Sequence, residues 1–259
     1  MPGLHGSLIW YELMTTDADG ARAFYEKVVG WAIDARAAND KGYRMIAMPD
    51  GAVAGLLPLT EAMTGQGARP GWFFYVNVGD VDQAVAGIEK AGGRALMAPW
   101  DTPGIGRFAM AADPHGAPFY VMNPIPPAGG GASTAFDPKL PGRCAWNEHR
   151  AADLPAALHF YTEQFGWAVS GSMPMGAMGD YTFLSCGDVP IGAAFPAGSE
   201  TDLPAWLHYF RVADVAQATA AIESSGGTLL HGPHEVPGGE HVVIARDPQG
   251  AAFGLVAAR

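Results

Sequence analysis

SLIWYELMTTDADGARAFYEKVVGW, residues 7–31, and RCAWNEHRAADLPAALHFYTEQFGW, residues 143–167, carry one pattern twice. Trp10, Glu12, Asp17, Ala21, Phe24-Tyr25 and Gly30-Trp31 recur at a constant offset as Trp146, Glu148, Asp153, Ala157, Phe160-Tyr161 and Gly166-Trp167. After a small net deletion, Trp72, Tyr75, Asp80-Val81, Gly92-Gly93, Pro103-Gly104 and Asp113-Pro114 return as Trp206, Tyr209, Asp214-Val215, Gly226-Gly227, Pro237-Gly238 and Asp247-Pro248. The chain is therefore a tandem duplication. Its period is far too long for a solenoid unit, so each copy reads as a whole domain, residues 1–123 and 143–259. The stretch between them, 124–142 (PIPPAGGGASTAFDPKLPG), is rich in Pro and Gly without apolar period and reads as a linker.

A chain of 259 residues gives each copy room for its own core, and 49% hydrophobic against 16% charged residues marks a compact globular protein. The net charge of −11, with only 15 Lys and Arg, argues against nucleic-acid or anionic-membrane binding, since both need a concentrated basic surface. A small-molecule ligand is the partner class that remains. Cys144 and Cys186 fall at non-equivalent points of the two copies and show neither metal spacing nor a disulfide framework, which fits a reducing cytoplasm. The start, Met-Pro-Gly-Leu-His, lacks a basic, apolar leader, and no run of residues approaches a membrane span.

Within each copy a weaker repeat emerges. Strand Leu8–Leu13 leads to Asp17 as N-cap and a helix closing near Gly30; strands near Tyr43–Met48 and Ala52–Leu57 follow. Trp72–Val78 then leads to Asp80 as N-cap, a helix to Ala91, Gly92-Gly93, and strands near Arg94–Pro99, Arg107–Ala112 and Pro118–Met122. The second copy repeats this, with Pro155 in the first helical turn, where a missing N–H costs little. The fold class is α+β: four βαβββ modules whose curved mixed sheets pair into cups, with the copies forming an intramolecular pseudo-dimer that leaves the chain a monomer or at most a weak homodimer.

Phe-Tyr a few residues before Gly-Trp, Val-x-Asp-Val before the second helix, Gly-Gly after it and Asp-Pro-x-Gly before the last strand, found twice in order, resemble the vicinal oxygen chelate superfamily. That group comprises glyoxalases, bleomycin-resistance proteins and extradiol dioxygenases. The resemblance implies a divalent metal held by His, Gln or Glu on first strands and by Glu on last strands. Carried over by position, the first-strand slots are Trp10, Trp72, Trp146 and Trp206, and the last-strand slots are Tyr120 and Gly254. None of these supplies the imidazole and carboxylate donors that an open-sided site needs, so no metal and no other cofactor is expected. The tryptophans point instead to an aromatic-lined cavity or to a cavity filled with indole.

Strand alternation puts Glu12 and Glu148 on the same face as Trp10 and Trp146. Each is a candidate general base or ligand acceptor, or alternatively a structural acceptor for a Trp or Tyr donor. His208 shares a face with Trp206 where the first copy has Phe74, and reads either as an acid/base group or as a hydrogen-bonded core residue. His149 should face the other way. Arg107 and His241 are equivalent strand-start residues that could anchor a polar ligand group at a rim, Tyr43 and Tyr181 offer hydroxyls, and Met173, Met175 and Met178 occupy a Gly-rich stretch with the composition of a lid. His115 belongs to turn chemistry. If modules pair across copies, Glu12 would meet His208 and the small Gly254 in a roomy site, while Glu148 would meet Phe74 and Tyr120. If they pair within copies, Glu12 would meet Phe74 and Tyr120.

Two functions lead, with a regulatory interaction protein as the third. The first is a small-molecule binding or sequestering protein of the bleomycin-resistance kind without an essential metal. The second is an enzyme of the same superfamily, either a metal-independent isomerase, lyase or hydroxylase-like protein using Glu12 or Glu148 as base, or a divergent metal enzyme.

Overall fold

The computed structural model describes residues 3–126, 131–198 and 205–258. Four modules of strand, helix and three strands follow one another, as the repeat requires. The first holds β1 (Leu8–Thr15), α1 (Ala18–Val28), β2 (Ala32–Ile33), β3 (Arg44–Met48) and β4 (Gly51–Pro58). A short helix, α2 (Glu61–Gly65), leads to the second: β5 (Gly71–Asn77), α3 (Val81–Lys90), β6 (Arg94–Thr102), β7 (Gly106–Ala112) and β8 (Pro118–Pro124). The third is β9 (Cys144–Ala151), α4 (Leu154–Phe165), β10 (Ala168–Pro174), β11 (Asp180–Cys186) and β12 (Val189–Pro196). The fourth is β13 (Trp206–Arg211), α5 (Val215–Ser224), β14 (Thr228–Glu235), β15 (His241–Arg246) and β16 (Ala252–Ala257).

The strands form two open eight-stranded sheets, in the orders β2-β3-β4-β1-β5-β8-β7-β6 and β10-β11-β12-β9-β13-β16-β15-β14. In every module the first strand pairs parallel with the last, and the remaining pairs are antiparallel. The helix between first and second strands covers one side of the sheet, which makes that connection possible. Asp17, Asp80, Asp153 and Asp214 cap the four main helices by accepting from backbone N–H groups of the first turn. Gly166, at φ 65°, closes α4 in the left-handed conformation that a side chain would resist. Among the described residues no helix is long and apolar enough to cross a membrane.

The chain packs as two compact units, and these are not the two copies. One unit comprises the described residues within 1–9, 74–133 and 147–206, the other those within 10–73, 134–146 and 207–259. Each therefore joins a module of the first copy to a module of the second. In the first unit α3 packs on α4, and in the second α1 packs on α5.

The expected linker is in part built structure. Its first residue, Pro124, ends β8, and residues 127–130 lie outside the described residues. Beyond them Ala135 is buried, Phe136 forms a β-bridge with Cys144, and Pro138 O accepts from Arg211 Nε at 2.6 Å. Met173 and the Gly-rich turn after it are a β-hairpin rather than a loose lid: Met173 pairs with Tyr181, and Met178 ends a 3₁₀ turn.

Candidate functional site

Each strand near the middle of a sheet has a helix side and an open side, and the motif residues divide between them. On the helix side of the second unit, Trp72 Nε1 donates to the Tyr25 hydroxyl at 2.9 Å, and that hydroxyl donates to Asp247 Oδ2 at 3.1 Å. The first unit repeats the chain of bonds: Trp206 Nε1 to Tyr161 at 2.8 Å, and Tyr161 to Asp113 Oδ2 at 3.2 Å. Burial and the adjacent carboxylate push both tyrosine hydroxyls well above their ordinary pKa, so they stay protonated donors. Trp31 Nε1 reaches the Gly142 carbonyl, and Trp167 Nε1 the Gly6 carbonyl, both at 2.8 Å. The Tyr25–Asp247, Tyr161–Asp113 and Trp167–Gly6 contacts bind the first copy to the second, the two Trp-to-Tyr bonds link modules of one copy, and Trp31 holds the end of the segment between the copies.

This placement corrects several sequence expectations. Trp72 and Trp206 are not in a ligand slot beside Trp10 and Trp146, because their indoles are used up against helix tyrosines. Phe74 lies on the same helix side, among Phe119, Trp167 and Trp206. His208 sits there too: its ring meets Tyr11 edge-on at 5.3 Å, and Tyr11 in turn meets Phe210 edge-on at 6.1 Å. Modules one and four do share a unit, but they meet through Tyr11 and Tyr25, so Glu12, on the opposite strand face from Tyr11, is not joined to His208 as an acid/base pair. Burial drives the His208 pKa down to about 3, with a bond to the Trp72 backbone opposing, and a neutral, core imidazole is the outcome. His149 is likewise buried on the helix side, stacked on Trp206 at 4.5 Å.

The rim and size expectations also change. Arg107 is held by Asp82 through Nε at 2.8 Å and Nη2 at 2.9 Å, and by Asp101 through Nη1 at 2.7 Å, so it is already neutralised as an anchor. His241 is half-buried at the start of β15, opposite Glu235. The space that Gly254 leaves is filled by the ring of Tyr209, its partner in register, which removes the expected roominess. Tyr120 stacks on Tyr75 at 4.2 Å, with Trp100 and Phe108 beside them.

On the open side one arrangement occurs in both copies. In the second unit Trp10 Nε1 donates to the Tyr43 hydroxyl at 2.9 Å, and that hydroxyl is bonded to Glu12. Burial, then Glu12, raises the Tyr43 pKa far above its usual value, so the hydroxyl donates and the carboxylate accepts. In the first unit Tyr181 donates to Glu148 Oε1 at 2.6 Å, a short charge-assisted bond. Trp146 stands on the Glu148 side of β9 and is half-buried. Phe183 and Phe195 pack against Tyr181, at 5.7 and 5.5 Å. These two phenylalanines were missed in the sequence, although alternation from Tyr181 already places Phe183 on the same side. Among the described residues no three His, Cys, Asp or Glu side chains converge as a metal site.

The model of the Glyoxalase/Bleomycin resistance protein/Dioxygenase superfamily matches residues 7–121 and again 145–255. The chain belongs to this superfamily. Its relatives include "Putative glyoxylase CFP32" of Mycobacterium bovis, 30% identical over 97% of this chain and 94% of that one. The anthracycline biosynthesis protein DnrV of Streptomyces peucetius is 27% identical over 98% and 94%. Among solved structures of the superfamily's fold, the 2,3-dioxygenase LapB of Pseudomonas sp. KL28 aligns with a TM-score of 0.65 at 14% identity, covering 98% of this chain and 93% of that one. The Mn(II)-bound glyoxalase of Novosphingobium aromaticivorans aligns at 0.64 with 18% identity, covering 98% and 83%. Identity this low makes both a likeness of fold.

Proposed function

We propose that this superfamily member binds a small organic molecule on the open faces of its sheets without a resident metal. The observation that carries the reading is the repeated hydrogen bond from Tyr43 to Glu12 and from Tyr181 to Glu148, each next to a half-buried tryptophan on the same strand as the acid. A carboxylate fixed by a tyrosine hydroxyl beside an indole recognises a ligand that stacks and donates hydrogen bonds. The donor set does not fit a divalent metal, because the carried-over positions hold Trp10, Trp72, Trp146, Trp206, Tyr120 and Gly254, and the nearest carboxylates are engaged by tyrosines. DnrV, named for anthracycline biosynthesis, supports a small organic ligand. The protein acts as a monomer in the reducing cytoplasm, where the free thiols of Cys144 and Cys186 persist.

A thermal-shift screen of small organic molecules with the purified, EDTA-treated chain tests this. A true ligand at a hundredfold excess over its Kd stabilises by about 2.7 kcal/mol. The shift should survive chelation and vanish in the double variant E12Q/E148Q. One equivalent of Zn, Mn, Ni or Fe per chain retained through chelation, or a shift that depends on added metal, would overturn the reading.

A further inference from the structure

We infer that the open faces of the two copies are not equivalent, and that the second copy's takes the ligand: a flat aromatic ring system carrying hydroxyl groups. This rests on the reading above and specifies its site and ligand class. In register, Glu12 of β1 stands beside Gly55 of β4, which stands beside Met45 of β3. The second copy aligns Glu148 of β9, Ala193 of β12 and Phe183 of β11 in the same way. The differences are Gly55 for Ala193, Met45 for Phe183 and, one row on, Leu57 for Phe195.

Gly55 decides the first face. A Cβ there would collide with the Tyr43 hydroxyl and ring, so only glycine lets Tyr43 lie flat against β4 with its hydroxyl between Trp10 and Glu12. Glu12 is consequently closed over, at 4% exposure. On the second face Ala193 has the Cβ that excludes this position. Tyr181 still reaches Glu148, but its ring lies near-parallel to Phe195, at 24°, and edge-on to Phe183, at 77°. Tyr181, Phe183, Phe195 and Glu148 are all half-buried rather than closed over, so the carboxylate of this face, unlike Glu12, is reached from solvent beside partly exposed rings. Arg150 flanks Phe195 in register. Three ring surfaces beside a carboxylate match a planar aromatic that stacks and donates a hydroxyl proton in a charge-assisted hydrogen bond.

The test is titration of the full chain with a dihydroxyanthraquinone and with its dimethoxy analogue, followed by ligand fluorescence. The hydroxylated probe should bind at least tenfold more tightly. E148Q should weaken it at least tenfold, and F183M/F195L, which installs the side chains of the first copy, should do the same with its thermal melt retained. A193G, which opens the position that Gly55 provides, should let Tyr181 settle and also weaken binding, whereas E12Q should cost at least fivefold less than E148Q. Equal losses for E12Q and E148Q, no preference for hydroxyls, or no binding of this probe by a chain that answers other small molecules in the thermal screen would overturn the assignment alone. A chain that binds no small molecule at all would sink the underlying reading with it.

Discussion

Tyr25 and Tyr161 show at the residue scale what the repeated signature is for. Each accepts from a tryptophan and donates to the aspartate of an Asp-Pro turn in the other copy, so the most visible motif residues are fasteners rather than reagents. The first unit adds His149, whose Nε2 lies 3.6 Å from Asp113, where the first copy has Leu13. Two effects compete there, since the carboxylate favours the imidazolium and burial opposes it. Burial wins, and the His149 pKa falls to about 4 from 6.5. The folded protein thus holds both His149 and His208 neutral, whereas the unfolded chain protonates them near 6.5. Between that value and about 4 the unfolded state binds more protons, so stability is full above 6.5 and is lost as pH falls towards the folded values. Each histidine should contribute a slope approaching about 1 kcal/mol per pH unit in that window. H208F and H149L, which insert the residues of the first copy, should flatten urea midpoints measured between pH 6.5 and 4.5; an unchanged slope in both would refute the assignment.

At the scale of elements, the order of strands and helices and the four aspartate caps were legible, because periodicity and cap chemistry are local signals. The open-side pairs Tyr43–Glu12 and Tyr181–Glu148 were half legible: each residue was a candidate, but their pairing depends on a register that sequence spacing does not reveal. Trp72, Trp206 and His208 were misplaced for a related reason, since a strand's alternation is clear while its phase relative to the helix layer is not. The segment before β9 was read as a linker because irregular backbone has no period. Yet Asp137 N bonds Cys144 O at 3.0 Å, Cys144 N bonds Ala135 O at 3.1 Å, and Pro138 holds Arg211. Replacing residues 134–140 with Gly and Ser should therefore lower stability by about 2 kcal/mol, because it removes the half-buried Phe136 ring and the Asp137 carboxylate that accepts from Lys139 N and Leu140 N, and loosens the backbone that makes the other bonds. A thermal melt unchanged by that replacement would show the segment to be a true linker.

For the whole molecule, the sequence copies and the compact units divide the chain differently. Reading the repeat alone gives domains 1–123 and 143–259, but each compact unit takes residues from both. Phe24 packs on Phe253, and Phe119 on Phe160 and Phe165, so either copy alone would expose large rings that the other normally covers. Because one chain supplies both partners of every such contact, light scattering on the intact protein should give a monomer. Splitting the chain at the segment between the copies separates the partners. Fragments 1–126 and 131–259 should each lack a cooperative melt or self-associate when alone, and should combine one-to-one on mixing with recovery of the near-ultraviolet dichroism of the buried tryptophans. If both fragments instead melted cooperatively as monomers, the copies would be independent domains, and the contacts of Tyr25 with Asp247 and of Tyr161 with Asp113 would be accessories to folding rather than its condition.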